Sequence, residues 1–248
     1  MTANDPSPRT VVERRTLNPN RRPGISADAA KPTYEIIRTT QVDEYDDPVS
    51  NAEALAAPVA MAATGNAFQG TARKSAKLSI SKKRVEKFDD VKALIDTLPE
   101  HEDMVKHKLK ITTASTSKRV IEEDRNVRVT AWIYAASRED DNDFHLIVGR
   151  VPTKARTFIT MEISGLPPAN AASRAKLEKV RDTYMDFFTD PPGTGYDFYK
   201  PPIPVEIGGS LFFEMSHAKG GRTGPQDLRP DMPVVWEVHP VTDLVFEP

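Results

Sequence analysis

VRVTAWIYAASREDDNDFHLIVGRV, residues Val127 to Val151, decides the fold class of this chain. Its first part, Val127 to Ala135, alternates: Val127, Val129, Ala131 and Ile133 take one phase, and Arg128, Thr130, Trp132 and Tyr134 take the other. A period of two is the signature of a half-buried strand. REDDND then offers residues that tolerate turn geometry, and Phe144 to Val151 returns as the second strand of a hairpin.

Downstream, FITMEISG (Phe158 to Gly165) reads as a third strand. In AASRAKLEKVRDTYMDFF, Leu177, Val180, Tyr184, Phe187 and Phe188 fall on one helical face, with Ser173 as a cap. PVEIGGSLFFEM (Pro204 to Met215) is a fourth strand whose Gly208 and Gly209 suit a bulge or tight bend. The fifth begins at Pro233 and carries VVWEVHPVTDLVF. Three strands, a helix and two strands predict a mainly β fold with some α: a five-stranded OB-like barrel in strand order 1-2-3-5-4, with the helix between strands three and four. A small open sandwich is the alternative.

Upstream of the barrel, Ala76, Leu78 and Ile80 alternate with polar residues and predict a strand. Asp89 or Asp90 can cap a helix with apolar Val91, Leu94, Ile95 and Leu98, which Pro99 stops. LKITT, Leu109 to Thr113, reads as a further strand. The expected organisation is therefore an extended or disordered arm over 1–66, a strand-helix-strand extension over 67–126 that packs on the barrel, and the barrel over 127–248. The arm carries Arg9, Arg14, Arg15, Arg21 and Arg22 and then Asp43, Glu44, Asp46 and Asp47, so it is either a solvated tail or a segment for a protein partner or self-association.

Composition restricts the function classes. The 248 residues include 21 Pro against 12 Gly, only 38% are hydrophobic, and the apolar ones concentrate after about residue 70, so the core belongs to the second half. A net charge of -2 is no footprint for wholesale nucleic-acid binding, and the absence of Cys excludes disulfides and thiolate chemistry. No signal-peptide pattern opens the chain, and the alanine-rich run Ala52 to Ala63 is too short to span a bilayer, which reads as a soluble cytoplasmic protein without a membrane partner. Phosphate loops, nucleophile elbows and dinucleotide fingerprints are missing from the sequence.

Two sets of residues can carry chemistry. Arg128 beside Trp132 and Tyr134, joined by Phe212 from strand four, has the composition of a stacking platform for bases or sugars. The competing reading is that the extension covers these aromatics. The loop after strand four adds Lys219, Arg222 and Arg229, a place for an anionic ligand or else a solvated Gly/Pro loop. From these follow weak binding of single-stranded nucleic acid or of an oligosaccharide. The acidic turn Glu139 to Asp143 opposes a phosphate backbone, and without an EF-hand glycine and distant Glu it reads as a plain acidic hairpin. On strands two, three and five, the phases that send Leu146, Met161 and Val238 inward send His145, Glu162, Glu237 and His239 outward together, the raw material of a divalent-metal site or an acid/base pair. Glu214 and His217 stand at the rim. Isolated strand histidines are more often ordinary hydrogen-bonded groups, and no close-spaced ligand motif is present.

SKRVIEEDRNVRVTAWI with EDDNDFHLIV, PVEIGGSLFFEMSHA and the ending VVWEVHPVTDLVF resemble a group of uncharacterised bacterial OB-like barrel proteins that end in WE-x-HPVT. The resemblance covers about the last 130 residues and implies the barrel without an activity. It places His145, Glu214, His217, Glu237 and His239 in matching segments; the loop after strand four is longer and less basic here than in that group. The reading that follows is a non-enzymatic binding or interaction module with no resident cofactor. Its rivals are a metal-dependent hydrolase, such as a nuclease, using His145, Glu162, Glu237 and His239, and an assembly component that docks through its arm.

Overall fold

The inward phase of the first hairpin sets the architecture, and a computed structural model describes it over residues 11–16, 33–42, 65–188, 190–217 and 223–246. In chain order, β1 is Val11–Thr16, β2 Thr33–Arg38, α1 Lys74–Lys77, β3 Val85–Phe88, α2 Val91–Ile95 and α3 His101–Val105. They are followed by β4 Asn126–Arg138, β5 Phe144–Gly149, β6 Phe158–Ile163, α4 Arg174–Phe187, β7 Asp197–Phe213 and β8 Trp236–Phe246. The protein is mainly β. Its strands form one mixed sheet in the order β1-β2-β7-β8-β6-β5-β4-β3, and β7 also pairs with β4.

That extra pairing closes a ring, β4-β5-β6-β8-β7, in the strand order expected from the sequence. All its pairs are antiparallel except β6 with β8. The ring is not a regular barrel. Registers shift between Ile133 and Ala135, between Gly208 and Gly209, and between Gly209 and Leu211. At the second break a Cβ on Gly208 would collide with the Val127 carbonyl and one on Gly209 with that of Pro240, so both positions require glycine.

Val127, Val129, Ala131 and Ile133 fill the ring together with Leu146, Val148, Ile159, Met161, Ile207, Leu211 and Val238. Between β6 and β7, α4 lays Val180 and Tyr184 against this core, followed by Phe188. The β4–β5 turn is held by Asn142 in the left-handed region at φ 74°, its Oδ1 accepting from Arg138 at 2.7 Å.

Three expectations are corrected. Residues 33–38, read as part of an arm, form β2 on the leading part of β7, and Tyr34 and Ile36 enter the core. Tyr34 packs against Phe187, Phe188 and Tyr199 at centroid distances of 6.0 to 6.2 Å. A polar average over 66 residues hid a six-residue strand with two buried side chains. The rest of 1–64 lies outside the described residues, apart from β1 and 39–42.

The strand expected at Ala76 to Ile80 is instead the helical turn α1. Arg73 precedes it with its guanidinium buried against Glu123 at 2.6 Å, and the Ala76 and Lys77 amides both donate to the Arg73 carbonyl. Three alternating positions cannot outweigh that anchor. LKITT is irregular: Ile111 is buried but Leu109 is 74% exposed, and no strand partner lies beside it among the described residues. The helix between them forms as expected. Asp90 accepts from the Lys92 amide at 2.8 Å as its cap.

Candidate metal centre

Strands buried on one face normally wet the other, yet β5, β6 and β8 are buried on both. Their outward face is roofed by the chain just before the ring. Ala67 bridges Leu166, the Phe68 amide donates to Leu166 at 3.0 Å, and the Gln69 amide donates to Asp141 at 2.9 Å. Behind them α1 brings Lys77 over the same face, 3.9 Å from Glu162. Polar residues at outward positions are therefore sealed under this strap.

His239, fully buried on β8, is the hub. Its Nδ1 lies 2.6 Å from Glu162 Oε2, and its Nε2 lies 3.2 Å from Asp143 Oδ2 and 2.9 Å from Ser164 Oγ. Asp143 accepts from the Gly165 amide through its other oxygen at 2.5 Å. Glu237 stands 4.0 Å from His239 Nδ1. His145 joins through Glu162 at 3.5 Å, and its Nε2 meets Thr160 Oγ1 at 3.2 Å. The expected set His145, Glu162, Glu237 and His239 thus comes together around Asp143.

One donor atom from each of Asp143, Glu162 and His239 lies within 4.8 Å of the others. Those residues are 0%, 5% and 0% exposed. Asp143 Oδ2, Glu162 Oε2 and His239 Nδ1 make no hydrogen bond of regular geometry among the described residues, although Glu162 and His239 approach to 2.6 Å. Unsatisfied buried polar atoms are rare in folded proteins, and here they are neighbours.

Charge explains the strain. Asp141, Asp143, Glu162, Glu214 and Glu237 crowd one region with two buried cations, Lys77, 3.6 Å from Glu214 and 3.8 Å from Asp141, and Arg181, whose charge acts on Asp143 and Asp141. Burial, reinforced by Asp141 and Glu162, pushes the Asp143 carboxyl well above the usual carboxylate range. Burial acts the same way on Glu162 but is outweighed by His239, Lys77 and His145, which hold it well below. Burial lowers His239 against the pull of Glu162. Lys77 is raised, because burial is overcome by Glu162, Glu214, Asp141 and Asp143. The five carboxyl groups outnumber the Lys77 ammonium and the Arg181 guanidinium.

No protein-family model, curated protein or solved structure matches this chain.

The other expected site residues are dispersed. Arg128, Trp132 and Tyr134 stand half-buried on the outer phase of β4. Arg128 is committed to Asp243 and, at 3.1 Å, to Glu206. Tyr134 is covered from the β5–β6 side rather than by the 67–126 segment: its hydroxyl donates to Arg150 at 2.8 Å, and its ring meets Phe158 edge-on at 4.8 Å. Phe212 does not join them. It is fully buried, with Arg73 over its ring at 4.6 Å and His239 at 5.5 Å, so the extension covers it. Arg229 donates to Gly224 at 2.8 and 3.0 Å, which ties its own loop together. Lys219 and Arg222 lie outside the described residues.

Sequence reasoning missed Asp143 and Lys77 as members of the site. Asp143 was legible: the alternation that sends His145 outward sends Asp143 outward too, two positions earlier. Lys77 was not, because α1 was read as a strand.

Proposed function

We propose that the protein is a non-enzymatic binding module on an OB-like barrel, and that its ligand at this centre is a divalent metal ion held by Asp143, Glu162 and His239. The observation that carries the reading is the meeting of Asp143, Glu162 and His239, three buried residues with donor atoms within 4.8 Å of one another, in a region where carboxyl groups outnumber the cations. Ligands about 2.1 Å from a tetrahedral ion stand roughly 3.4 Å apart. One donor atom from each residue lies within 4.8 Å of the others, and because Glu162 now faces Nδ1 and Asp143 faces Nε2 of His239, the two carboxylates must turn towards the same imidazole nitrogen to reach that spacing. A nitrogen with two carboxylates suits zinc or manganese better than calcium, which takes six or more oxygens. The strand order and the helix between the third and fourth ring strands support the OB-like reading.

Burial favours binding over the hydrolase alternative. A hydrolytic metal keeps an open position for substrate, whereas the strap 65–77 seals these ligands. Among the described residues no helix is long and apolar enough to cross a membrane.

Calorimetric titration of chelator-treated protein with zinc and with manganese tests the proposal. One ion per chain is expected, with at least tenfold weaker binding in Asp143→Asn and in His239→Ala. Affinity should also fall with pH, since the donors must be deprotonated. Wild-type affinity retained in both variants would reject it.

A further inference from the structure

Away from the metal centre, α4 leaves a cavity of about 390 Å³ between itself and the strands β3, β4, β7 and β8. Ligand sites for small molecules begin at roughly 300 Å³, so the space is sufficient. Val127, Val180 and Leu244, members of the main core, form an apolar floor. Lys176, Lys179 and Thr183 rise over it at helical spacing on one face of α4.

Two features distinguish this cavity from a packing gap. Gly209 pairs with Val241 and Gly208 with Asp243, so Thr242 is the extra residue of a bulge, and it lines the cavity. Bulges recur where a side chain is re-aimed towards a site. The charges are also arranged asymmetrically. Arg128 neutralises Asp243, the acidic group of the lining, whereas the ammonium groups of Lys176 and Lys179 form no ion pair with a described residue.

We infer that this cavity is a second binding site, for a small amphiphilic anion whose apolar body lies on Val127, Val180 and Leu244 and whose carboxylate or phosphate sits between Lys176 and Lys179. Thr242 supplies a neutral hydroxyl donor to the head group. A neutral molecule of the same shape gains the floor and lacks the lysines. The site shares no residue with the metal centre, so each proposal stands or fails alone.

Calorimetric titration of the full chain with octanoate, octyl phosphate and octan-1-ol is the test. The two anions should bind at least tenfold more tightly than the alcohol, and K176E/K179E should remove that difference. Both lysines are exposed, so the variant retains the fold, checked by its circular dichroism. Thr183→Trp, which fills the cavity, should abolish binding of all three. Co-sedimentation with phosphatidylglycerol vesicles that depends on both lysines would identify the head group as a lipid's; binding confined to the soluble anions would identify a free metabolite. Equal affinity for alcohol and anions, or anion binding unchanged in K176E/K179E, would overturn the inference.

Discussion

Asp143→Asn should stabilise the metal-free protein while weakening its metal binding. The Asp143 and Glu162 donors lie within 4.8 Å, and two unit charges at that distance repel by about 3.5 kcal/mol at an effective dielectric of 20. Lys77 and the Gly165 amide offset part of this. Asparagine keeps an acceptor for Gly165 and removes the charge. A net gain of about 1–2 kcal/mol at pH 8 is therefore expected in urea unfolding with chelator present. The sign with pH is definite. A carboxyl whose folded pKa is raised contributes stability fully present below its unfolded pKa and lost as pH rises through the folded value. The advantage of the variant should accordingly grow from acid towards alkaline pH. Destabilisation by 1 kcal/mol or more at pH 8, or a gain independent of pH, would refute the charge argument.

Two further outcomes concern what roofs and seats the site. Glu123→Ala should cost about 3–5 kcal/mol in the same assay, because it strands the buried Arg73 guanidinium, which is 1% exposed. The double variant Arg73→Met/Glu123→Leu should lose clearly less than the sum of the single losses, and additivity would show that the pair is not a unit. Tyr34→Ala should destabilise by about 3–5 kcal/mol through loss of its contacts with Phe187, Phe188 and Tyr199. A change under 0.5 kcal/mol would return residues 33–38 to the status of a passive arm.

The ring was legible because its strands obey local rules. Val127 to Ile133 alternate, Asn142 supplies the turn and Gly208 with Gly209 mark a bend, each readable within a few residues. The same phases place His145, Glu162, Glu237 and His239 on one face, where the fold brings them into contact. Illegible parts depend on distant partners. Nothing near Arg73 announces Glu123 fifty residues later, so α1 looked like a strand and Lys77 was left out of the site. Phe212 has the outward phase that fits a stacking platform, but only the tertiary placement of Arg73 shows that it is covered. Tyr34 and Ile36 were diluted by their polar surroundings.

Anomalous diffraction from crystals soaked in zinc or manganese addresses the central proposal most directly. A peak about 2.0–2.2 Å from donor atoms of Asp143, Glu162 and His239, absent from Asp143→Asn, is the expected result. A wild-type crystal whose ions sit only at the surface, with Glu162 and His239 still in contact and no peak between them, would contradict it.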